Sequence, residues 1–538
     1  MKIRFGIACI VVLVVTNVLA HKVVCRWDMT DDKRYTLTMP TRKLLASLEH
    51  ELSVTVLMEG ELNSGFTRLK EATNEILDEF SVYTKYHIQE LAPTPNDLKG
   101  LEPIVIHERT HKGKMAQTTV YPYAILSYNG KRRVVNLLYN QRGLSGEENL
   151  NHSIEHLEYR LVEAVRSLVQ TEVEKVAFLE GHGELDEYEV YDLTQQLARY
   201  YQVDRGSLGD EVGVLDGYSA VIIADPQLPF SENDKYILDQ YIMQGGRVLW
   251  VVNGVRFSTD ILSTDGFTPV IALDLNINDL LFRYGVRVNH GLVQDLQCMV
   301  VPVDVSEDAQ QPNWQPLPWT FAPLLLTSQK SSITHNVAQL SATMVSAIDL
   351  VGENDGIKKE VLLATSSASK ITAVPAQVDL SLGIEDEQSY ASAFIPVAVS
   401  MEGEFNSLYA HLGAPEGVKA VAPLLKKSKN TRQVVVATGS AIRNEWYQDQ
   451  PLPLGYDRYT KTQFGNRDFM LNAILYLTDE EGWLDLRQKE VTLRLINDKR
   501  ARSLRVLAQV VSIVIPILLL FVLGVIVFLL KKNKYVKK

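Results

Sequence analysis

The sequence predicts an α/β fold with a parallel-sheet domain, a smaller N-terminal α/β or α+β domain, and a transmembrane helix at each end. Three observations support this prediction. Strand and helix patterns alternate between Lys175 and Val252, mixed elements precede them, and two uncharged apolar segments bracket the chain. The predicted boundaries are 5–22 and 506–530 for the two anchors and 33–150, 171–345 and 346–490 for the soluble parts.

The apolar segments are Phe5–Ala20 and Val506–Leu530. A helix of about 25 residues crosses a hydrocarbon core of roughly 30 Å. Basic residues mark the cytoplasmic side, and they flank both outer ends, although the inner flanks are basic as well. This charge bias is slight, and the basic tip, apolar stretch and small residues at the start of the chain decide the orientation. We expect both termini on the cytoplasmic side and the bulk of the chain on the other. The start of the chain also fits an export signal, with Val18 and Ala20 at a cleavage site, so its removal is an open alternative.

Composition limits the class of protein. A chain of 538 residues with 46% hydrophobic content can bury two or three ordinary cores. A net charge of -11 argues against a nucleic-acid partner, because phosphate binding needs a basic face. Three cysteines provide neither a disulfide framework nor a cysteine metal cluster.

The N-terminal unit begins with leucines at helical spacing from Leu44 to Leu52, followed by a strand at Val54–Met58. Asn63 or Ser64 can cap a second, amphipathic helix. Two strand patterns then flank Asn129-Gly130, a dipeptide that tolerates the positive φ of a type I′ turn. A small α/β or α+β domain with a β-hairpin follows from this pattern.

A connecting helix is predicted from about Ser153 to Gln170, and alternating elements follow it. The strands are Lys175–Leu179, Ser219–Ala224 and Arg247–Val252, and the helices between them are Tyr188–Tyr200 and Asn233–Met243. This order predicts a parallel sheet covered on both faces, with ligands binding at the strand ends. Prolines weaken the pattern from about 295 to 388, after which a buried strand at Val434–Ala437 and a helix at Phe469–Leu477 are expected.

The turn after the first sheet strand is the candidate binding site. Gly181, His182, Gly183 and Glu184 stand where a turn presents its backbone to a ligand. The spacing is not that of a dinucleotide fingerprint, and no G-x-S-x-G nucleophile turn occurs in the sequence. We therefore expect these four residues to contact a ligand or partner rather than to catalyse a reaction.

A second motif permits a metal alternative. His152, Glu155 and His156 match the H-x-x-E-H pattern, in which two histidines hold zinc and the glutamate activates a water. A solvent-facing turn of a helix explains the same residues, and no third ligand can be named. No G-x-x-x-x-G-K-[ST] sequence occurs, so the chain does not hydrolyse nucleotide through a P-loop.

Several separated motifs resemble, in order, those of the gliding-motility-associated ABC transporter component family GldG, over nearly the whole chain. They include Arg26-Trp27-Asp28-Met29-Thr30, the run from Ala177 to Leu185, the run from Asp239 to Gly246, the run from Leu281 to Asn289, and Pro453-Leu454-Gly455-Tyr456-Asp457.

The resemblance implies a non-enzymatic, membrane-anchored auxiliary subunit, substrate-binding or coupling, that works with a separate permease and a separate ATPase and has no cofactor. It also implies gliding Bacteroidota, with the bulk of the chain on the periplasmic face of the inner membrane. The family's central domain is similar to class I glutamine-amidotransferase-like domains and to a domain of an intraflagellar transport protein.

Two positions depart from these relatives. Amidotransferases need a cysteine on a strand-to-helix turn, and residues 175–252 contain none. Thr438 precedes Gly439 where the resemblance leads us to expect an aspartate. The missing cysteine argues against an active amidotransferase-like hydrolase. The alternatives to the transporter subunit are a periplasmic membrane-anchored hydrolase, either a zinc peptidase or amidotransferase-like, and a non-catalytic scaffold.

Overall fold

The computed structural model describes residues 36–60, 62–86, 88–109, 115–138, 145–169, 173–304, 306, 313–352, 356–380, 386–418, 423–480, 482–487 and 498–535. The predicted N-terminal anchor at 5–22 lies outside these residues. Two compact units divide the chain, Met1–Lys489 and Glu490–Lys538.

The N-terminal part of the first unit is a four-stranded sheet packed against helices. Its strands run in the order β2-β1-β5-β6, and β3 and β4 form a separate hairpin. The helices are α1 (Met39–Ser47), α2 (Ser64–Tyr83), α3 (Gly146–Glu155) and α4 (Leu157–Val169). The strands are β1 (Leu52–Val56), β2 (Gln89–Glu90), β3 (Ile104–Arg109), β4 (Met115–Val120), β5 (Tyr123–Tyr128) and β6 (Lys131–Asn136).

Local signals in this part are confirmed. The Asn63 side chain accepts a hydrogen bond from the Phe66 amide and caps α2. Asn129 and Gly130 have φ of 45° and 76°, so the β5–β6 turn uses the positive φ that the dipeptide permits.

The predicted single helix over 153–170 is instead two helices, because His156 leaves helical geometry with φ -96° and ψ 6°.

A ten-stranded sheet forms the centre of the first unit. Nine strands follow the order β15-β16-β19-β22-β23-β10-β9-β7-β8, and β17 pairs with β16. The first strands and helices are β7 (Lys175–Leu179), α5 (Tyr191–Leu197), β8 (Gln202–Gly206), β9 (Ala220–Ala224), α6 (Glu232–Met243), β10 (Val248–Val251), β11 (Val255–Arg256), α7 (Thr259–Asp265), β12 (Phe267–Ala272), α8 (Asn278–Tyr284), β13 (Val286–Val288), β14 (Gly291–Asp295) and β15 (Cys298–Asp304).

The remaining elements of the first unit complete this sheet and add short pairs around it. They are β16 (Trp314–Thr327), β17 (Leu340–Ser341), β18 (Ile348–Leu350), β19 (Lys358–Ala364), β20 (Ser369–Ala373), β21 (Ala376–Asp379), β22 (Pro396–Asn406), β23 (Lys427–Val436), β24 (Trp446–Tyr447), β25 (Gln450–Pro451), β26 (Tyr456–Asp457), β27 (Thr462–Gln463), α9 (Asn466–Thr478) and α10 (Trp483–Arg487). Single 3₁₀ turns occupy Glu387–Ser389, Leu408–Ala410 and Gly439–Ala441.

The predicted mixed α/β class and its parallel strands are confirmed. Strands β8, β7, β9, β10 and β23 run parallel, and β22, β19, β16 and β15 continue the sheet in antiparallel order. Both faces of the parallel part are apolar. Ile222 joins a core with helices α5 and α9, whereas the next residue, Ile223, joins a core with α6 and α8. A strand buried on two faces must be apolar at every position, as β9 is.

Strands from both sides of the predicted 345/346 boundary lie in this one sheet. Two parts of it did not follow from the sequence pattern. Strand β8 follows α5 in the sequence and pairs with β7 at the edge of the sheet. The proline-containing stretch after 295 supplies β15 to β21, which form antiparallel pairs. The domain boundaries themselves stay predictions.

The described part of the second unit is one long helix, α11 (Asp498–Tyr535), with Pro516 inside it. A segment of 21 residues within it, Gln509–Leu529, has a mean hydropathy of 3.2. By length and composition this segment is able to cross a membrane.

Candidate functional site at the carboxyl edge of the sheet

The carboxyl ends of β7, β9, β10 and β23 meet at one edge of the sheet because these strands are parallel. The segments that follow them are 180–184, 225–228, 252–254 and 437–443, and we call their residues the carboxyl edge. Ligands of open parallel sheets bind at this location.

The predicted 181–184 turn lies on the carboxyl edge and is held by its backbone. Gly181 and Gly183 have φ of 121° and 73°, a region that favours glycine. The His182 carbonyl accepts hydrogen bonds from the amides of Gln227 and Leu228, both at 2.8 Å. The turn after β7 is therefore tied to the turn after β9.

The His182 side chain is buried, with 9% of its surface exposed. Its Nδ1 lies 3.0 Å from a carboxylate oxygen of Glu184, and its Nε2 lies 3.2 Å from a carboxylate oxygen of Asp234. The ring stacks on Phe230 with centroids 3.8 Å apart. Asp234 also belongs to the capping box of α6, together with Ser231. His182 therefore clamps the turn to the N-terminus of α6.

The charges around this ring determine its protonation. Burial lowers the pKa of His182, but the hydrogen bonds that its ring donates to Asp234 and Glu184 outweigh this effect and raise the pKa to about 9. Burial raises the pKa of Asp234, and its bonds to His182 and Ser231 reverse this, so that it lies below its usual value. At neutral pH the clamp is an imidazolium between carboxylates. Of the four predicted site residues, Gly181 and Gly183 are exposed, whereas the side chains of His182 and Glu184 are enclosed. The binding role of these residues stays a prediction.

Asp225, which sequence analysis did not select, is the most unusual group of the carboxyl edge. It follows β9 directly, has φ of 55° and is 8% exposed. Its Oδ2 lies 3.6 Å from a guanidinium nitrogen of Arg443, whereas its Oδ1 is buried and forms no hydrogen bond with any described residue. An acid directly after an apolar strand was the sequence signal that could have found it.

The surroundings of Asp225 explain the pKa of its carboxyl and the need for glycine at position 439. Burial raises the pKa of its carboxyl to about 6, Arg443 opposes this shift, and Glu189 adds to it. A Cβ at Gly439 would lie 1.9 Å from Asp225 Cγ, so only glycine fits there. The preceding residue, Thr438, donates to the Thr343 carbonyl at 3.1 Å. A carboxylate thus lies beside Gly439, but it belongs to Asp225, directly after β9, rather than to position 438.

An aromatic group lies on the segment that follows Arg443. Arg443 also lies 3.5 Å from Glu189, and the next residue, Asn444, donates its amide to the Glu189 carbonyl. Trp446 donates its indole N–H to the Tyr188 carbonyl at 2.9 Å, and the Tyr188 and Trp446 rings have centroids 5.9 Å apart. We call Asp186, Glu187, Tyr188, Glu189 and Trp446 the acidic-aromatic rim.

A small cleft with a cavity volume of about 10 Å³ lies beside the end of β10. Its wall is mostly apolar, and its polar members bond to other groups. His290 Nδ1 lies 2.9 Å from the Gly254 carbonyl, and Asn253 donates to the Met344 carbonyl at 3.0 Å. These contacts connect β10 to the following segments.

The H-x-x-E-H residues lie apart from the carboxyl edge, at the junction of α3 and α4. His152 Nδ1 is 3.0 Å from a carboxylate oxygen of Glu155, and the rings of His152 and His156 stack with centroids 6.4 Å apart. Among the described residues, no group of three or more His, Cys, Asp and Glu side chains is placed to hold a metal ion.

The described cysteine is Cys298, on β15 at the far side of the sheet. Burial raises the pKa of its thiol to about 11. A thiol with so high a pKa is a weak nucleophile at neutral pH, because the thiolate is the reactive form.

Comparison with known proteins shows the family of this chain. A family model described as an ABC-type uncharacterized transport system matches residues 174–473, and a domain of unknown function matches residues 31–127. The first match covers more than half of the chain, so this protein belongs to the family of that ABC-type transport system, as an auxiliary component. The family suggests a non-catalytic role.

No curated protein matches the sequence. Among solved structures, a chain described as "mmIFT52 N-terminal domain" is 15% identical to this one, with a TM-score of 0.32, and the match covers 57% of this chain and 97% of that chain. We base no conclusion on a similarity at this level.

Proposed function

We propose that this protein is a membrane-anchored auxiliary subunit, substrate-binding or coupling, of an ABC transporter associated with gliding motility in Bacteroidota. Its permease and ATPase are separate chains. The bulk of the protein lies in the periplasm, and both termini lie on the cytoplasmic side of the inner membrane. The central domain is of the class I amidotransferase-like type without its catalytic cysteine.

The family match over residues 174–473 is the observation that carries this proposal. Two further facts support it. Helix α11 contains a 21-residue apolar segment of the length a membrane anchor needs. The sequence contains no P-loop motif, so ATP hydrolysis has to be supplied by another subunit.

A binding or coupling role is supported better than a hydrolase. The turns after the parallel strands present Asp225, the 181–184 backbone and Thr438, and none of these is a cysteine on a strand-to-helix turn. We therefore propose that the carboxyl edge contacts a ligand or a partner subunit, including through Gly181 and Gly183.

Co-purification from native membranes tests the transporter assignment. The full chain, tagged at Lys538, is solubilised in mild detergent, and the co-purifying proteins are identified by mass spectrometry. We expect a permease and an ATPase of the ABC class at stoichiometric levels. An equally tagged, unrelated single-span membrane protein from the same cells is the control. Absence of both subunits, or release of the chain from membranes by carbonate, would refute the proposal.

A topology experiment tests the orientation separately. Reporter fusions at Met1 and at Lys538 should both report the cytoplasm, and protease added to spheroplasts should degrade the central domain. Reporters in opposite compartments would contradict the proposed two-anchor topology while leaving the family assignment intact.

A further inference from the structure

The carboxylate of Asp225 lacks a donor. Its Oδ1 is buried and forms no hydrogen bond with any residue in the described part of the chain. Its Oδ2 faces Arg443 at 3.6 Å, which is longer than the roughly 2.7–2.9 Å of a charge-assisted hydrogen bond. A buried oxygen without a partner costs free energy, and a donor from another molecule would remove that cost.

The charges of this cluster do not balance. Arg443 is shared between Asp225 and Glu189, at 3.6 Å and 3.5 Å. Two carboxylates facing one guanidinium leave one negative charge when both are ionised. Asp186 and Glu187 are exposed on the same loop as Glu189 and add further negative charge. Arg205 donates to the Leu185 carbonyl at the start of this loop, but it is paired with Glu180. The carboxylates of the cluster therefore outnumber its guanidinium group, which favours a cation over an anion.

The acidic-aromatic rim provides a surface that suits a cation with an apolar stem. Tyr188 is 67% exposed and Trp446 is 38% exposed, although their rings contact each other. The Trp446 N–H is already used by the Tyr188 carbonyl, which fixes the indole. Lysine and arginine side chains bind aromatic faces through their charge and their methylene groups.

The rim is also held rigidly. Asp192 forms a two-point ion pair with Arg467, at 2.8 Å and 2.9 Å, and accepts a hydrogen bond from the Leu454 amide at 2.8 Å. Asn444 accepts from the Asp192 amide at 3.2 Å. The segment that carries Arg443 and Trp446 is thereby fixed to α5. A preorganised site pays less conformational entropy on binding.

We propose that the carboxyl edge recognises a basic peptide segment of a partner protein, with one lysine or arginine side chain placed against Asp225 and its stem across Trp446. This inference rests on the proposed function in that it takes the carboxyl edge as the contact surface of the subunit. It adds the chemistry of the partner, a cationic peptide rather than an anionic or neutral ligand.

Protonation of Asp225 should oppose this binding. Arg443 and Glu189 are the charged groups that act on the carboxyl, and burial holds its pKa at about 6. A protonated carboxyl carries no charge to attract the cation. Affinity is therefore expected to fall as the pH is lowered through 6.

The test uses the full chain in detergent micelles and the peptide acetyl-Gly-Lys-Gly-Lys-Gly-amide as probe, measured by calorimetry. The same peptide with acetylated lysines is the uncharged control. Asp225→Asn keeps the size of the side chain and removes its charge, and we expect it to weaken binding about tenfold or more. Glu404→Gln removes one charge next to the amino end of β23, at the opposite edge of the sheet, and should leave binding unchanged.

Wild-type protein provides a second measurement that needs no variant. Its affinity for the lysine peptide should be several-fold weaker at pH 5 than at pH 7.5. Equal binding of the acetylated peptide, or undiminished binding by folded Asp225→Asn protein, would overturn the inference. Co-purification of the permease and ATPase is measured on the same samples. If those subunits are recovered but the lysine peptide does not bind, the cation site is wrong and the transporter assignment stands.

Discussion

Replacement of His182 by glutamine is the sharpest perturbation of the carboxyl edge. Glutamine can retain one hydrogen bond but carries no charge, so Glu184 and Asp234 lose the imidazolium between them. The Glu184 side chain is 2% exposed and the Asp234 side chain 21%. Removing one member of a buried ion pair leaves the other charge uncompensated, which is strongly destabilising.

The raised pKa of His182 gives the free energy that its charge contributes to stability. A shift from 6.5 to about 9 corresponds to roughly 3 kcal/mol at about 1.4 kcal/mol per unit. Because the site adjoins solvent on the Asp234 side, screening reduces the expected contribution to about 2 kcal/mol. The native pKa is the higher one, so this stabilisation is complete below pH 6.5. It decreases as the pH rises and is lost above pH 9.

Hydrogen exchange on the full chain measures the stabilisation by His182 in the segments around it. The exchange of the amides in 180–186 and 227–236, corrected for the intrinsic rate at each pH, gives the free energy of opening. In wild-type protein it should fall by about 2 kcal/mol between pH 6.5 and pH 9. In the His182→Gln variant it should be lower at pH 6.5 and nearly independent of pH.

An exposed histidine provides the control. His411→Gln should leave both the protection and its pH dependence as in wild type, because His411 lies on the surface. If the His182→Gln variant retains full protection, or if wild-type protection does not change from pH 6.5 to 9, the clamp does not exist as described.

Three further predictions concern particular contacts. Asp239→Ala should lower the free energy of unfolding by about 3 kcal/mol in urea denaturation, because it leaves the buried Tyr284 hydroxyl without its 2.8 Å partner; a loss below 0.5 kcal/mol would contradict this. Gly439→Ala should lower the melting temperature and displace Asp225, whereas Gly206→Ala, with open space around it, should not; equal effects would refute the close approach. Asn63→Ala should cost about 1 kcal/mol through loss of the α2 cap, and unchanged exchange in the first turn of α2 would speak against it.

Much of the parallel sheet could be predicted from the sequence because its signals are local. The strand at Lys175–Leu179 has the predicted bounds, and the helix predicted over 233–243 begins one residue earlier, at Glu232. Continuous apolar strands and a serine-aspartate capping box are readable without knowledge of contacts. The edge strand β8 has the polar sequence Gln202 to Gly206 and carries no such signal.

The candidate site could be predicted only in part. Its position at the strand ends follows from the alternation of elements, and the 181–184 turn was found in this way. Glu184 lies two residues after His182, but the sequence does not indicate the contact with Asp234. That residue follows after a second strand and reaches the ring only when the sheet is assembled. Asp225 and Arg443 likewise meet only because β9 and β23 lie on either side of β10.

The sequence by itself determined the class of the protein: an α/β body, a long apolar segment near its C-terminus and no nucleotide-binding loop. These properties depend on residue type and spacing along the chain. Only the tertiary structure decided which charges face one another at the carboxyl edge, which histidine nitrogen has which partner, and which carboxylate oxygen has none. Such features depend on distances between residues far apart in sequence, and the order of strands in a sheet sets those distances.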